Sequence, residues 1–173
     1  MPCQDTRCSQ SKNQVEVTDE IRPILVKPDV TYSIEKDDSD TLACLSFTTE
    51  QQKQHAALYG DVVLVDATYQ INKYQMPLYT LAVVDHEGHG QLIAHGLLAR
   101  EDATHVGLFL KQVGAWLPNL ADAIFIVNKN FAEIAAIQQT FDNATIHLCH
   151  FHIAKAFAAE MKQQGCANDR QLY

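Results

Sequence analysis

The feature that most constrains this chain is a change of hydrophobic period close to residue 100. Before it, three apolar runs rich in β-branched and aromatic residues follow one another with short turns between them. DVVLVDATY (61–69) is a buried run ending near Asp66, MPLYTLAVVD (76–85) is the second and GQLIAHGLLA (90–99) the third, with HEGHG as a turn. Runs of this length and composition, joined by tight turns, predict an antiparallel meander. After it, ATHVGLFLKQVGAWL (103–117) places apolar residues at 106, 109, 110, 113 and 117, which is helical spacing. Pro118 and Asn119 end that helix. Helices and strands then alternate: a strand in 121–128, a helix over 131–141, a strand over 144–149 and a helix over 152–164. In the helix over 131–141, Ile134, Ile137 and Phe141 are expected on one face.

The order β-β-β-α-β-α-β-α predicts an α/β protein with a mixed five-stranded sheet. Three antiparallel strands come first and strand–helix crossovers follow, the arrangement of the RNase H-like fold. Upstream, TTEQQKQHAALYG (48–60) carries a Thr before an acid and a closing Gly, the start and stop signals of a short helix. Residues 1–45 are polar and turn-rich, with KDDSD at 36–40. They are expected to be a weakly structured extension with a short strand near Ile24 to Val26. The domain proper is then 46–173.

Charge and cysteines narrow the function classes. Thirteen Lys and Arg against 21 Asp and Glu leave a net charge of −8, shared evenly along the chain with no basic run. Phosphate-driven binding to DNA needs such a run, so tight sequence-independent DNA binding by this chain alone is not expected. Five cysteines, an odd number, argue for free thiols rather than a disulfide framework. Cys3 and Cys8 have no second pair near them to complete a zinc knuckle. No window offers eighteen uninterrupted apolar residues, and the first twenty lack the apolar core of a secretory signal. An intracellular protein without a membrane segment is expected.

Three clusters carry candidate chemistry. In a sheet of this order, carboxylates at the ends of the first and fourth strands lie side by side, where they can hold two Mg²⁺ or Mn²⁺ ions for phosphoryl transfer. Asp66 stands at the first position, but the matching residue is Asn128, followed by Lys129. An amide brings no negative charge and the lysine disfavours a dication, so the pair reads as disarmed. Asp66 also has a plainer reading as a turn former. The second cluster, IHLCHFH, holds His147, Cys149, His150 and His152. Its C-x-x-H spacing suits zinc, although four ligands are needed and no second pair is close. The alternative is a buried thiol and a hydrogen-bonded imidazole at a strand–helix junction. The third, DHEGHG (85–90), offers Asp85, His86, Glu87 and His89, and its glycines favour a solvated turn. Trp116 and the tyrosines at 69, 74 and 79 have no basic residues interleaved among them, so packing is preferred to base stacking.

LVDATYQINKYQMPLYTLAVVD, LLARED, IFIVNKNFAEIAAI and IHLCHFHIAKAF together resemble the RNase H-like domain of the SWIM-type zinc-finger proteins. That domain is similar in turn to the Mutator-like (MULE) transposases. The motifs span about residues 46–160, with FTTEQQKQHAALYGD as the family's lead-in. The resemblance implies descent from a DNA transposase, with Asp66 at the first acid of a metal-binding triad and Asn128 in place of the second. The third acid lies on a later helix, expected to be absent here because the chain stops at Tyr173; Glu160 is the one acid on the last helix, and no motif places it in the site. The SWIM pattern itself, C-x-C followed by C-x-H, is missing. Cys149 and His152 match the family's C-x-x-H.

The expectation is therefore a domesticated RNase H-like domain without nuclease activity. It would be a scaffold or interaction module with a protein partner or a second copy, and nuclear and DNA-associated by resemblance only. Against it stands a divalent-metal-dependent transposase or nuclease using Asp66. A third reading is a zinc-binding DNA adaptor.

Overall fold

The computed structural model describes residues 22, 23, 25–70 and 73–163. Seven strands form one sheet: β1 (Val30–Lys36), β2 (Leu42–Thr49), β3 (Val62–Thr68), β4 (Leu78–Val84), β5 (Gly90–Leu98), β6 (Ile124–Val127) and β7 (Thr145–Leu148). The helices are α1 (Glu50–Tyr59), α2 (Ala103–Trp116), α3 (Phe131–Thr140) and α4 (His150–Gln163), with a 3₁₀ turn over Pro118–Asp122. The strand order is β1-β2-β5-β4-β3-β6-β7. Within it, β5-β4-β3 is the expected antiparallel meander, and β6 and β7 add in parallel to β3. The RNase H-like arrangement is present. No helix among the described residues is long and apolar enough to cross a membrane.

The expected five strands become seven because the chain before residue 46 is not all polar extension. VTYSIEK (30–36) and LACLSFTT (42–49) form a hairpin, and β2 joins the sheet antiparallel to β5, with Cys44 opposite Leu98. Val30, Tyr32 and Ile34 alternate with Thr31, Ser33 and Glu35, a period of two that the neighbouring acids obscured. The KDDSD run is the turn of this hairpin. The Asp37 carboxylate accepts the N–H groups of Ser39 and Thr41, both at 2.9 Å, and Asp40 takes the left-handed conformation at φ 59°. Acids suit such a turn because a short polar side chain bonds its own backbone. The strand expected near Ile24 to Val26 is not formed at its described residues: Leu25 is helical and Val26 lies in a turn. Ile24, Cys3, Cys8 and Cys166 lie outside the described residues.

The helices begin where the sequence signals them. Thr49 and Gln52 form a reciprocal capping box on α1, with Gln52 N–H to Thr49 Oγ1 at 3.2 Å and Thr49 N–H to Gln52 Oε1 at 2.9 Å. Asp102 caps α2 by accepting the His105 N–H at 3.0 Å. The apolar stripe of α2 buries Val106, Phe109, Leu110 and Val113 against the sheet and α3. Phe109 lies flat on β5 only because residue 96 is glycine; a Cβ there would stand 2.5 Å from the ring. The HEGHG segment is the β4–β5 turn, with Gly88 at φ 84° and Asp85 accepting the N–H groups of Glu87 and His89.

The core between the sheet and helices α2 and α3 includes Val63, Val65, Tyr79, Leu81, Phe125, Val127 and Ile137. A second, smaller cluster of Leu25, Leu42, Leu45, Met76 and Leu97 sits at the hairpin side. Helix α4 takes no part in either. No residue from 150 to 162 is buried, and Phe151 and Phe157 are each 68% exposed.

Candidate functional site

Parallel strands β3 and β6 pair in register from Val62 with Ile124 to Leu64 with Ile126. Two further residues along that register bring Asp66 and Asn128 opposite one another, as the strand order required. Asp66 points outward, with 60% of its side chain exposed, while Asn128 is half-buried and Lys129 exposed. The first helical turn of α4 approaches from the side of β7: His152 Nε2 stands 3.9 Å from Asp66 Oδ1. His152 Nδ1 is buried and has no hydrogen-bond partner. The imidazole of the C-x-F-H motif thus meets the strand-end acid.

Two more acids, which the sequence did not single out, gather beside this pair. Glu101 follows β5 in the LLARED segment. Its Oε1 accepts hydrogen bonds from the Tyr69 hydroxyl, from Asn130 Nδ2 and, at 3.3 Å, from the Tyr79 hydroxyl. Asn130 in turn caps α3, accepting the Ala132 N–H at 2.9 Å. Glu133, in the first turn of α3, is 0% exposed, and neither of its oxygens has a hydrogen-bond partner. Burial pushes its carboxyl up to about 7, and the charges of Glu101 and Asp66 push the same way. The Tyr79 hydroxyl offsets part of this, although its proton is directed to Glu101. Burial, then the neighbouring carboxylates, raise the Tyr69 and Tyr79 hydroxyls, so both stay protonated as donors.

Glu133 had a visible signal. It falls with Ala136 and Ile137 on the buried face of α3, and a carboxylate on an apolar stripe is rarely surface decoration. Glu101 had none, because its partners come from three other segments.

This donor set does not fit a pair of hard dications. Each ion needs several charged oxygens turned toward one point. Here one strand end offers an amide beside a lysine, Glu101 Oε1 is taken by three donors, and Glu133 is buried and readily protonated. Among the described residues, no three His, Cys, Asp or Glu side chains come together as a metal-binding group.

Cys149 closes β7, its N–H bonded to the Val127 carbonyl at 2.7 Å and its own carbonyl accepting the Ile153 N–H. It is a half-buried thiol at a strand–helix junction. His147 and His150 are exposed. Of the aromatic residues, Tyr79 is buried in the core, Trp116 and Tyr74 are half-buried, and Tyr69 is exposed with its hydroxyl on Glu101.

Comparison with known proteins bears on the same stretch. Protein FAR1-RELATED SEQUENCE 5 of Arabidopsis thaliana is 28% identical over 134 residues, 74% of this chain and 16% of that protein. FAR1-RELATED SEQUENCE 6 of the same plant is 26% identical over 133 residues, 76% of this chain and 18% of that protein. The chain thus spans less than a fifth of the length of these curated relatives. The family model described as the RNaseH-like domain of zinc finger SWIM domain-containing protein 1/3 matches residues 23–147, taking in the β1–β2 hairpin and the sheet through β7's His147. With Asp66, Asn128 and Glu101 all inside that match, the chain belongs to the zinc finger SWIM domain-containing protein 1/3 family, through its RNase H-like domain.

Proposed function

We propose that this RNase H-like domain is a transposase descendant that has lost nucleic-acid cleavage and works as a scaffold or interaction module in a nuclear, DNA-associated setting. The observation that carries this reading is Asn128, the amide opposite Asp66 at the strand end where a phosphoryl-transfer enzyme of this topology needs a second carboxylate. The neighbouring acids support it. Glu101 serves as the acceptor that ties Tyr69, Tyr79 and the cap of α3 together, and Glu133 is enclosed. Both now do structural duty. The exposed apolar side chains of α4 add a surface suited to a protein partner or a second copy. No step of hydrolysis is assigned to any residue. Zinc at Cys149 and His152 would need two further ligands from elsewhere.

A Mn²⁺ titration of the parent chain beside Asn128→Asp and Asp66→Asn tests the reading. A silent parent with binding restored by Asn128→Asp is the expected result. Binding by the parent that disappears in Asp66→Asn would overturn it in favour of a metal-dependent nuclease.

A further inference from the structure

Where β6, β3 and β4 lie side by side, the sheet has two unlike faces. Directly paired residues share a face, and neighbours along a strand alternate between faces. Val63, Val65, Leu81, Val83, Phe125 and Val127 point to the side that α2 and α3 cover, and all are buried. The residues between them point the other way: Leu64 pairs with Ala82 and with Ile126, and Val62 with Ile124. None of these is buried. Val62 and Ile124 are each 37% exposed, and Val84 and Leu92, on the same face, are each 48% exposed. A sheet that turns one face to water alternates apolar with polar residues, whereas VVLV, LAVV and IFIV are apolar at every position. That is the composition of a sheet covered on both faces. Toward the hairpin a cover is present, since Leu45 and Leu97 belong to the smaller cluster and Gln52 of α1 reaches the His95 ring at 3.1 Å. Over β6, β3 and β4 the described residues leave the face open.

Helix α4 carries the matching surface. Phe151, Ala154, Phe157, Ala158 and Met161 recur at helical spacing and form one apolar stripe. None is buried, and the two phenylalanines are the most open of them. The stripe faces away from its own strand end. His152, which stands 3.9 Å from Asp66, lies about 140° around the helix from Phe157 at 3.6 residues per turn. A chain therefore cannot lay this stripe on its own open face while His152 meets Asp66. Charge fits the two surfaces to each other as well. The helix holds Lys155 and Lys162 against the single acid Glu160, in a chain of net charge −8. The rim of the open face, where β3 and β6 begin and β4 ends, carries Asp61, Glu87 and Asp122, with no Lys or Arg in residues 60–61, 85–89 or 118–123. Lengths agree too: the 14 residues of α4 span about 21 Å and the 7 residues of β3 about 23 Å.

We infer that two copies of this chain pair through these surfaces, α4 of each lying along the open sheet face of the other. The partner is a second copy because one chain carries both halves of the contact and holds them where they do not meet. A two-fold axis makes the two contacts equivalent and covers both surfaces at once, with Lys155 and Lys162 directed to the acidic rim. The large side chains of the stripe and the open face leave roughly 600 Å² of apolar surface on each copy, so the pair hides on the order of 1,200 Å², the lower end of stable interfaces. The pairing names a partner for the interaction module proposed above and rests on that part of the reading alone. It is independent of whether Asp66 and Asn128 bind metal, which the Mn²⁺ titration reads separately.

Sedimentation equilibrium of the full chain tests the pairing. A reversible dimer is expected, weakened by added salt. Phe157→Asp in the helix stripe and Leu92→Asp in the sheet face are each expected to raise the dimer dissociation constant about a hundredfold, since each change enters both contacts. Val26→Asp, also exposed but at the β1 side, should leave it unchanged. Circular dichroism verifies the fold of each variant. Mixing the Phe157→Asp and Leu92→Asp chains discriminates the geometry: one intact helix and one intact face remain, so the mixture should associate more tightly than either chain alone. A parent chain that stays monomeric up to millimolar concentration overturns the inference. So does a mixture that associates no better than its components, because the contact would then join helix to helix or face to face.

Discussion

Replacing Glu133 with glutamine should make the protein's stability less sensitive to alkali. The Glu133 carboxyl lies at about 7 in the folded chain against an ordinary value of 4.5. An acid raised on folding binds more protons in the native state than in the unfolded chain between those two values. Stability therefore falls as pH rises through that window and is constant above it. Carried through the linkage relation, burial of this one carboxyl costs about 1 kcal/mol at pH 5 and about 3 kcal/mol at pH 8. Glutamine keeps the shape and cannot ionise. Its amide protons meet the same partnerless surroundings at both pH values, so that penalty cancels in the comparison. The expected signature is a Glu133→Gln effect that becomes more favourable by roughly 2–3 kcal/mol between pH 5 and pH 8. Urea unfolding of both proteins at the two pH values, followed by far-ultraviolet circular dichroism, measures it. An effect of the same size at both would refute the argument, because it would mean that Glu133 is either solvated in the native state or charged and compensated there.

Other consequences follow from packing and caps. Gly96→Ala forces a methyl into the face of Phe109 and should destabilise the fold by about 1–3 kcal/mol, read as a lower urea midpoint with an unchanged slope. Asp102→Ala removes the cap of α2 together with the hydrogen bond that orients His105, at a cost of about 1–2 kcal/mol. Burial raises the Asp102 carboxyl, but the His105 ring and N–H outweigh burial and the net shift is downward. Its contribution is thus present above the ordinary carboxylate range and lost as pH falls through the lowered value, and the variant and parent should converge in acid. Cys44, buried and pushed up to about 12, should resist iodoacetamide in the folded protein while half-buried Cys149 is labelled, as peptide mass spectrometry would resolve.

Most of the sheet was legible because each element carried its own local signal. The meander from β3 to β5 showed as three apolar runs with short turns, and α2 as a stripe whose positions 106, 109, 110 and 113 are buried in the helix, with Leu117 buried at its C-cap and His105 a buried residue outside the stripe. The hairpin of β1 and β2 was obscured for a physical reason: its turn is made of acids, which resemble a solvated tail until their carboxylates are seen bonding the backbone. Of the site, the strand ends were legible, since parallel pairing follows from element order and places Asp66 by Asn128. The rest depends on contacts between distant segments. Glu101 draws its donors from Tyr69, Tyr79 and Asn130, and no periodicity links those positions.

The strand order also sets an order of assembly. The pairs β3–β4 and β4–β5 join neighbours in the chain, and so does β1–β2, so these hairpins can close early at little entropic cost. Two seams cannot. Cys44 must find Leu98, and Leu64 must find Ile126, each across a long stretch of intervening chain. Folding should therefore proceed through a meander on which the N-terminal hairpin zips late from one side and the β6–β7 unit from the other. Substitutions in the β4–β5 hairpin would then slow folding, whereas those along the β2–β5 seam would chiefly hasten unfolding.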